Sequence, residues 1–174
     1  MKNLIAFIFI LFTIGLINSP LLAQNSETVE VGATIGSPLQ ITKTADLHFG
    51  NIVAGADAGT LTIDVDGNIT TTGGTEAFTF GTNETSVATF DLQGMPFATV
   101  VVTLPENGDV VLTNQHGSGE TMTLINFTTN FTDNKETFSP PPFLELKVGA
   151  TIEVGAEQEP GDYVGEFDVI LNYE

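Results

Sequence analysis

Apolar residues in this chain alternate with polar ones and never settle into the 3.6-residue period of an amphipathic helix. Gly, Asn, Asp and Pro break the alternation at intervals of roughly 8–12 residues, and Thr is abundant. Runs of this kind can bury only one face each, so they must be stacked sheet on sheet or closed into a barrel. The pattern predicts an all-β protein.

The clearest run is the last. After Gly161, the residues Phe167, Val169, Leu171 and Tyr173 fall on one side of an extended chain, and Glu166, Asp168, Asn172 and Glu174 on the other. Only Ile170 departs from the alternation. Earlier strands are expected at Thr28–Ile35 (Val29, Val31, Ala33 and Ile35 on one face), Leu39–Ile41, and Asp46–Val53 with Leu47 and Phe49 inward. Thr60–Val65 runs into Asp66-Gly67, a strong hairpin dipeptide, with Ile69–Thr72 returning. Ala77–Phe80, Val87–Leu92, Ala98–Leu104, Asp109–Thr113 and Thr121–Phe127 follow, and Val100–Leu104 is apolar enough to be a central strand buried on both faces. Thr128–Pro142, with prolines at 140 to 142, reads as an irregular surface crossing. Phe143–Val154 and Tyr163–Tyr173 are expected as a final pair joined by Gly155–Asp162.

Before these strands lies a segment of a different kind. Lys2 precedes an apolar run from Leu4 to Ile17, and Ala23 stands before Gln24, the arrangement of an export signal removed after residue 23. The run is short for a membrane span of about 20 residues. The expected mature chain, 24–174, is long enough for a single domain with a full core. It carries three lysines, no arginine and 22 acidic residues, a formal charge of −19. Nucleic acid and anionic membranes are disfavoured partners, because binding either needs cations to replace counterions. There is no cysteine, so an exported fold here would rest on its core without disulfides.

Little in the sequence suggests catalysis. Asp64, Asp66 and Asn68 alternate as oxygen ligands could, but Gly67 precedes the third and no Glu follows until Glu76, so a turn explains them and no metal site is expected. His48 and His116 stand in no zinc-binding spacing. His116 and Ser118 are neighbours in a glycine-rich loop, which is not the geometry of a nucleophile and its base. No phosphate-cradling loop opens a helix, and no cofactor is expected. Asn-x-Thr sequons at Asn68, Asn83, Asn126 and Asn130 predict exposed loops.

Two segments carry a family resemblance. Ser37-Pro-Leu-Gln-Ile-Thr-Lys-Thr-Ala-Asp-Leu-His-Phe-Gly-Asn-Ile-Val-Ala-Gly55 resembles the opening signature of the DUF4402 family of uncharacterised bacterial exported proteins. The stretch from Val148 to Phe167, with Gly155, Pro160-Gly161 and Tyr163, resembles its closing one. A fainter resemblance is to chaperone–usher pilins and spore-coat-U-like domains, whose subunits end on a strand with a penultimate aromatic, alternating apolar residues and a Gly fourteen positions from the end. Tyr173, Leu171, Val169, Phe167 and Gly161 match that ending. The disulfide common in such pilins is missing, and few residues precede the first strand.

These readings lead to an exported, immunoglobulin-like (pilin-like) antiparallel β-sandwich at the cell surface or beyond it. Its expected role is structural or adhesive, as a fimbria-like subunit that pairs strands with itself or with other surface subunits. Phe167, Val169, Leu171 and Tyr173 would insert into a core or a partner groove, with Val29, Val31, Ala33 and Ile35 as the reciprocal edge. The competing expectation is a monomeric module that binds a glycan or protein through its loops.

Overall fold

The computed structural model describes residues 25–78, 81, 84–117 and 119–174. The expected export segment, Phe80, Asn83 and Ser118 lie outside them. Two compact units divide the chain, Met1–Ile35 and Gly36–Glu174. In the first, residues 25–35 form no strand, which corrects the expected strand Thr28–Ile35. Its apolar side chains stand in solvent: Val29 is 79% exposed, Val31 93% and Ile35 97%. Alternation alone does not make a strand where no partner edge supplies hydrogen bonds.

The second unit is all-β and antiparallel. Its strands are β1 (Gln40–Ala45), β2 (His48–Phe49), β3 (Asn51–Ile63), β4 (Ile69–Phe78), β5 (Thr85–Ser86), β6 (Ala88–Gln93), β7 (Thr99–Thr103), β8 (Val110–Asn114), β9 (Thr121–Thr129), β10 (Lys135–Thr137), β11 (Phe143–Val154), β12 (Tyr163–Val164) and β13 (Ile170–Tyr173). The large sheet runs β1-β6-β11-β9-β8-β12, with β3 also on β11 and β4 on β3. β11 is its organiser. On one side its first half pairs with β6 and its second half with β3, and β9 takes the other side. A smaller sheet, β10-β7-β13, and a two-stranded ribbon, β2-β5, complete the fold.

Period-two patterning places the core. On β11, Leu146, Val148, Ala150, Ile152 and Val154 are all at most 3% exposed. They divide between two clusters, one gathering β3, β8, β9 and the end of β11, the other gathering β6, β7 and the start of β11. Leu47, Phe127 and Phe167 pack against both and so join them. The turn after β3 works as expected: Gly67 N–H donates to the Asp64 carbonyl at 3.0 Å, and Gly67 takes φ +82°, which suits a residue without Cβ.

Three expectations need correction. β7 is central in its sheet, but only Val100 and Val102 are buried, while Thr103 faces solvent, so it buries one face rather than two. The crossing Thr128–Pro142 contains β10 and sends Phe131 and Phe138 into the core at 7% and 0% exposure. Finally, Phe143–Val154 and Tyr163–Tyr173 are not a pair. The second run splits, with β12 on β8 and β13 on β7.

Candidate functional site

The residues expected to mediate strand pairing sit on and just before β13. Their alternation is intact: Phe167, Val169, Leu171 and Tyr173 turn inward, while Glu166, Asp168, Asn172 and Glu174 face solvent. Ile170 goes out with the polar set and is 53% exposed. The inward four pack against the cluster of Val100, Val102, Leu146 and Val148. Phe167 also meets Phe127 with ring centroids 5.2 Å apart and planes tilted by 54°, a favourable aromatic geometry.

Two features distinguish this strand from an ordinary core strand. All four inward side chains remain half-buried, although Val100, Val102, Leu146 and Val148 are at most 3% exposed. In addition, β13 hydrogen-bonds to β7 on one side, and among the described residues no strand pairs with its other side. Unpaired edge N–H and C=O groups are a template for another strand. Of the other expected set, Val29, Val31, Ala33 and Ile35 are all exposed and in no strand.

A second opening lies over the other cluster. A cleft of about 540 Å³ between residues 47–54 and 158–164 has Leu112, Met122, Ile152 and Val154 on its apolar lining. Gln158 and Tyr163 close one rim: Gln158 Nε2 donates to Tyr163 Oη at 2.8 Å, and that hydroxyl donates to the Glu159 carbonyl at 2.7 Å. Both polar tips are thus paired with each other or with backbone, and the cleft they border has a mixed lining that includes His48, Asn51 and Asp162.

The remaining polar candidates are occupied by structure. Asp64 Oδ1 accepts from the amides of Asp66 and Asn68 at 2.9 and 2.8 Å, and Oδ2 from Asn68 Nδ2 at 2.9 Å. These bonds, led by that from the Asn68 side chain, lower its pKa from the ordinary 3.8. The carboxylate thus serves the hairpin turn. His48 is exposed and its Nδ1 accepts from the Gly50 amide at 3.0 Å; His116 is exposed, with Asp162 at 3.7 Å. Among the described residues, no group of three His, Asp or Glu stands close enough to hold a metal ion. Of the sequon asparagines, Asn130 clamps β11, donating to the Glu145 carbonyl at 2.9 Å and accepting the Lys147 amide at 2.7 Å. Asn126, at φ +51°, exchanges bonds with Asn107.

Sequence reasoning missed one arrangement. Met95, Pro96, Phe97 and Ala98 form a turn closed by Ala98 N–H to the Met95 carbonyl at 3.2 Å, with Phe97 at φ +66° and 77% exposed. Proline at the second position and positive φ at the third are the marks of a type II turn, where Gly or Asn is usual. A bulky side chain there costs about 1–2 kcal/mol. The dipeptide Pro96-Phe97 was its only trace in the sequence.

Residues 39–173 match the domain of unknown function DUF4402. The chain belongs to the DUF4402 family. The match takes in β1 and β13 and therefore the Phe167–Tyr173 face, while Val29, Val31, Ala33 and Ile35 precede it. No curated protein matches this DUF4402 chain.

Proposed function

We propose that this DUF4402 protein is an exported structural or adhesive surface subunit that assembles by strand pairing. On this reading, the segment Thr28–Ile35 of one copy adds to the open edge of β13 in the next. The observation that carries it is the half-buried face of Phe167, Val169, Leu171 and Tyr173 beside an unpaired edge. Exposed Val29, Val31 and Ile35 supply an alternating apolar segment of matching period.

Magnitudes limit how such pairing could work. Burying three Val or Ile side chains contributes about 5–9 kcal/mol. Ordering eight residues costs about 8–16 kcal/mol in backbone entropy. Side-chain burial alone therefore does not hold the segment in place. The main-chain ladder with β13 and the further burial of its inward face must supply the rest, as in other cases of β-augmentation. The expected assembly depends on concentration and on an intact segment.

The test is the size of the protein recovered from the cell surface or medium, compared before and after heating. A heat-sensitive ladder that disappears on deletion of residues 28–35, with the domain still folded, supports the proposal. A single monomer at every concentration, with cooperative melting, refutes it. Sequencing the N-terminus of the same material checks export: processed protein should begin at Gln24.

A further inference from the structure

We propose a carbohydrate-binding groove on the outer face of β1, β6 and β11, with a neutral polysaccharide as its ligand. The strand register lays out two rows across these three strands. Gln40, Gln93 and Phe143 stand side by side in one row, and Thr42, Asp91 and Glu145 in the next. All six are exposed and line one shallow groove of about 360 Å³.

This set of side chains matches the two-sided chemistry of a sugar. A pyranose ring has an apolar face of C–H groups that stacks on an aromatic ring, and a rim of hydroxyls that both donate and accept. Phe143, 59% exposed, supplies the ring. The amides of Gln40 and Gln93 supply both donors and acceptors, and the carboxylates of Asp91 and Glu145 accept from hydroxyl pairs. Glu145 also lies 3.3 Å from Lys147, while Lys43, next to Thr42 on β1, pairs with Asp46. Two carboxylates in a chain of formal charge −18 repel anionic glycans, so the ligand is a neutral one.

An independent observation comes from the adjoining turns. Phe97 holds a backbone conformation disfavoured for a bulky residue, yet its ring is 77% exposed and gains no burial in return. Its turn is fixed against the proline run by Phe97 N–H to the Phe138 carbonyl at 2.7 Å and Gly94 N–H to the Pro142 carbonyl at 3.2 Å. Tyr173 Oη binds the Met95 amide and the Ser37 carbonyl, bringing in the approach to β1. The turn residues 94–99 and the run 137–143 that meet here contain no charged residue, with Asp91, Glu136 and Glu145 beside them. Exposed Phe97, Pro96, Pro140 and Pro141 extend the groove with further surface for sugar C–H faces.

Native gels containing soluble xyloglucan, mixed-linkage β-glucan, laminarin or pullulan test this directly, with alginate as the anionic comparison. Retardation of the purified protein by at least one neutral polymer, and none by alginate, is expected. Phe143→Ala and Phe97→Gly should each weaken retardation about tenfold. Phe97→Gly is the informative variant, because Gly suits φ +66° and should leave the melting temperature unchanged or raised. Absence of retardation by all four neutral polymers overturns the proposal, as does equal retardation of both variants and the parent. If instead the two variants convert a dimer to a monomer, with no effect of polysaccharide, the surface belongs to a second copy and the proposal is equally overturned.

Discussion

The hydroxyl of Tyr173 accepts the amide hydrogen of Met95 at 2.8 Å, a bond between residues 78 apart in sequence. The same hydroxyl donates to the Ser37 carbonyl at 3.2 Å. One side-chain atom thereby fixes β13 to the turn after β6 and to the approach to β1. Tyr173→Phe leaves the Met95 amide without this acceptor and should lower stability by about 1–2 kcal/mol. Urea denaturation with an unchanged slope would give this directly, and no loss would show that water replaces the contact.

Asn130 bonds two backbone groups of β11 at once, the Glu145 carbonyl and the Lys147 amide. Asn130→Ala removes both bonds and is expected to cost about 1–3 kcal/mol. Asn130→Asp keeps the acceptor and loses the donor, so its loss should be the smaller of the two. Thermal melts of the three proteins side by side check the ordering.

A Cβ placed on Gly94 would meet Phe138 Cε2 at 2.5 Å and Cζ at 2.7 Å. Phe138 is fully buried, so its ring has little room to withdraw. Gly94→Ala should destabilise by about 1–3 kcal/mol through overpacking. Combining it with Phe138→Leu should cost less than the two separate losses together, and a double-mutant cycle measures that coupling.

Asp64 gives a pH dependence of defined sign. Its folded-state pKa lies below the ordinary 3.8, because the Asn68 side chain and neighbouring amides bond to the carboxylate. Its contribution to stability is therefore complete above the unfolded value and fades as pH falls through the lowered folded one. Asp64→Ala should be less stable than the parent at pH 7, and the gap should narrow as acid protonates the parent's carboxylate. A gap that stays constant from pH 7 to pH 2 would assign the loss to something other than this charge.

Side-chain direction was legible in the sequence, and strand partnership was not. The alternation at Phe167–Tyr173 and the hairpin at Asp66-Gly67 both appear as expected, and β11 occupies the expected Phe143–Val154. A period of two tells which face of a strand is buried, but it is silent on which edge the strand meets. For that reason Tyr163–Tyr173 was expected beside β11, when its two halves belong to β8 and β7. The same silence let Val29–Ile35 pass for a formed strand. Phe131 and Phe138 were hidden because a loop has no period, so two single aromatics in a polar and proline-rich stretch give no directional signal. Of the proposed groove, Gln40, Gln93 and Phe143 lie in three distant parts of the sequence and become neighbours only through register.

The place of β11 has a consequence for synthesis. β3, β6 and β9 all precede it, and each has its central-sheet partner in residues 143–154. A chain emerging from its N-terminus first must therefore wait for its last fifth before the large sheet can close. Until then it presents several apolar strands with open edges at once, the condition in which long-range β-pairing is slow and competes with aggregation. Vectorial delivery leaves the DUF4402 domain unfinished until nearly all of it has arrived, which makes folding a late, largely all-at-once event.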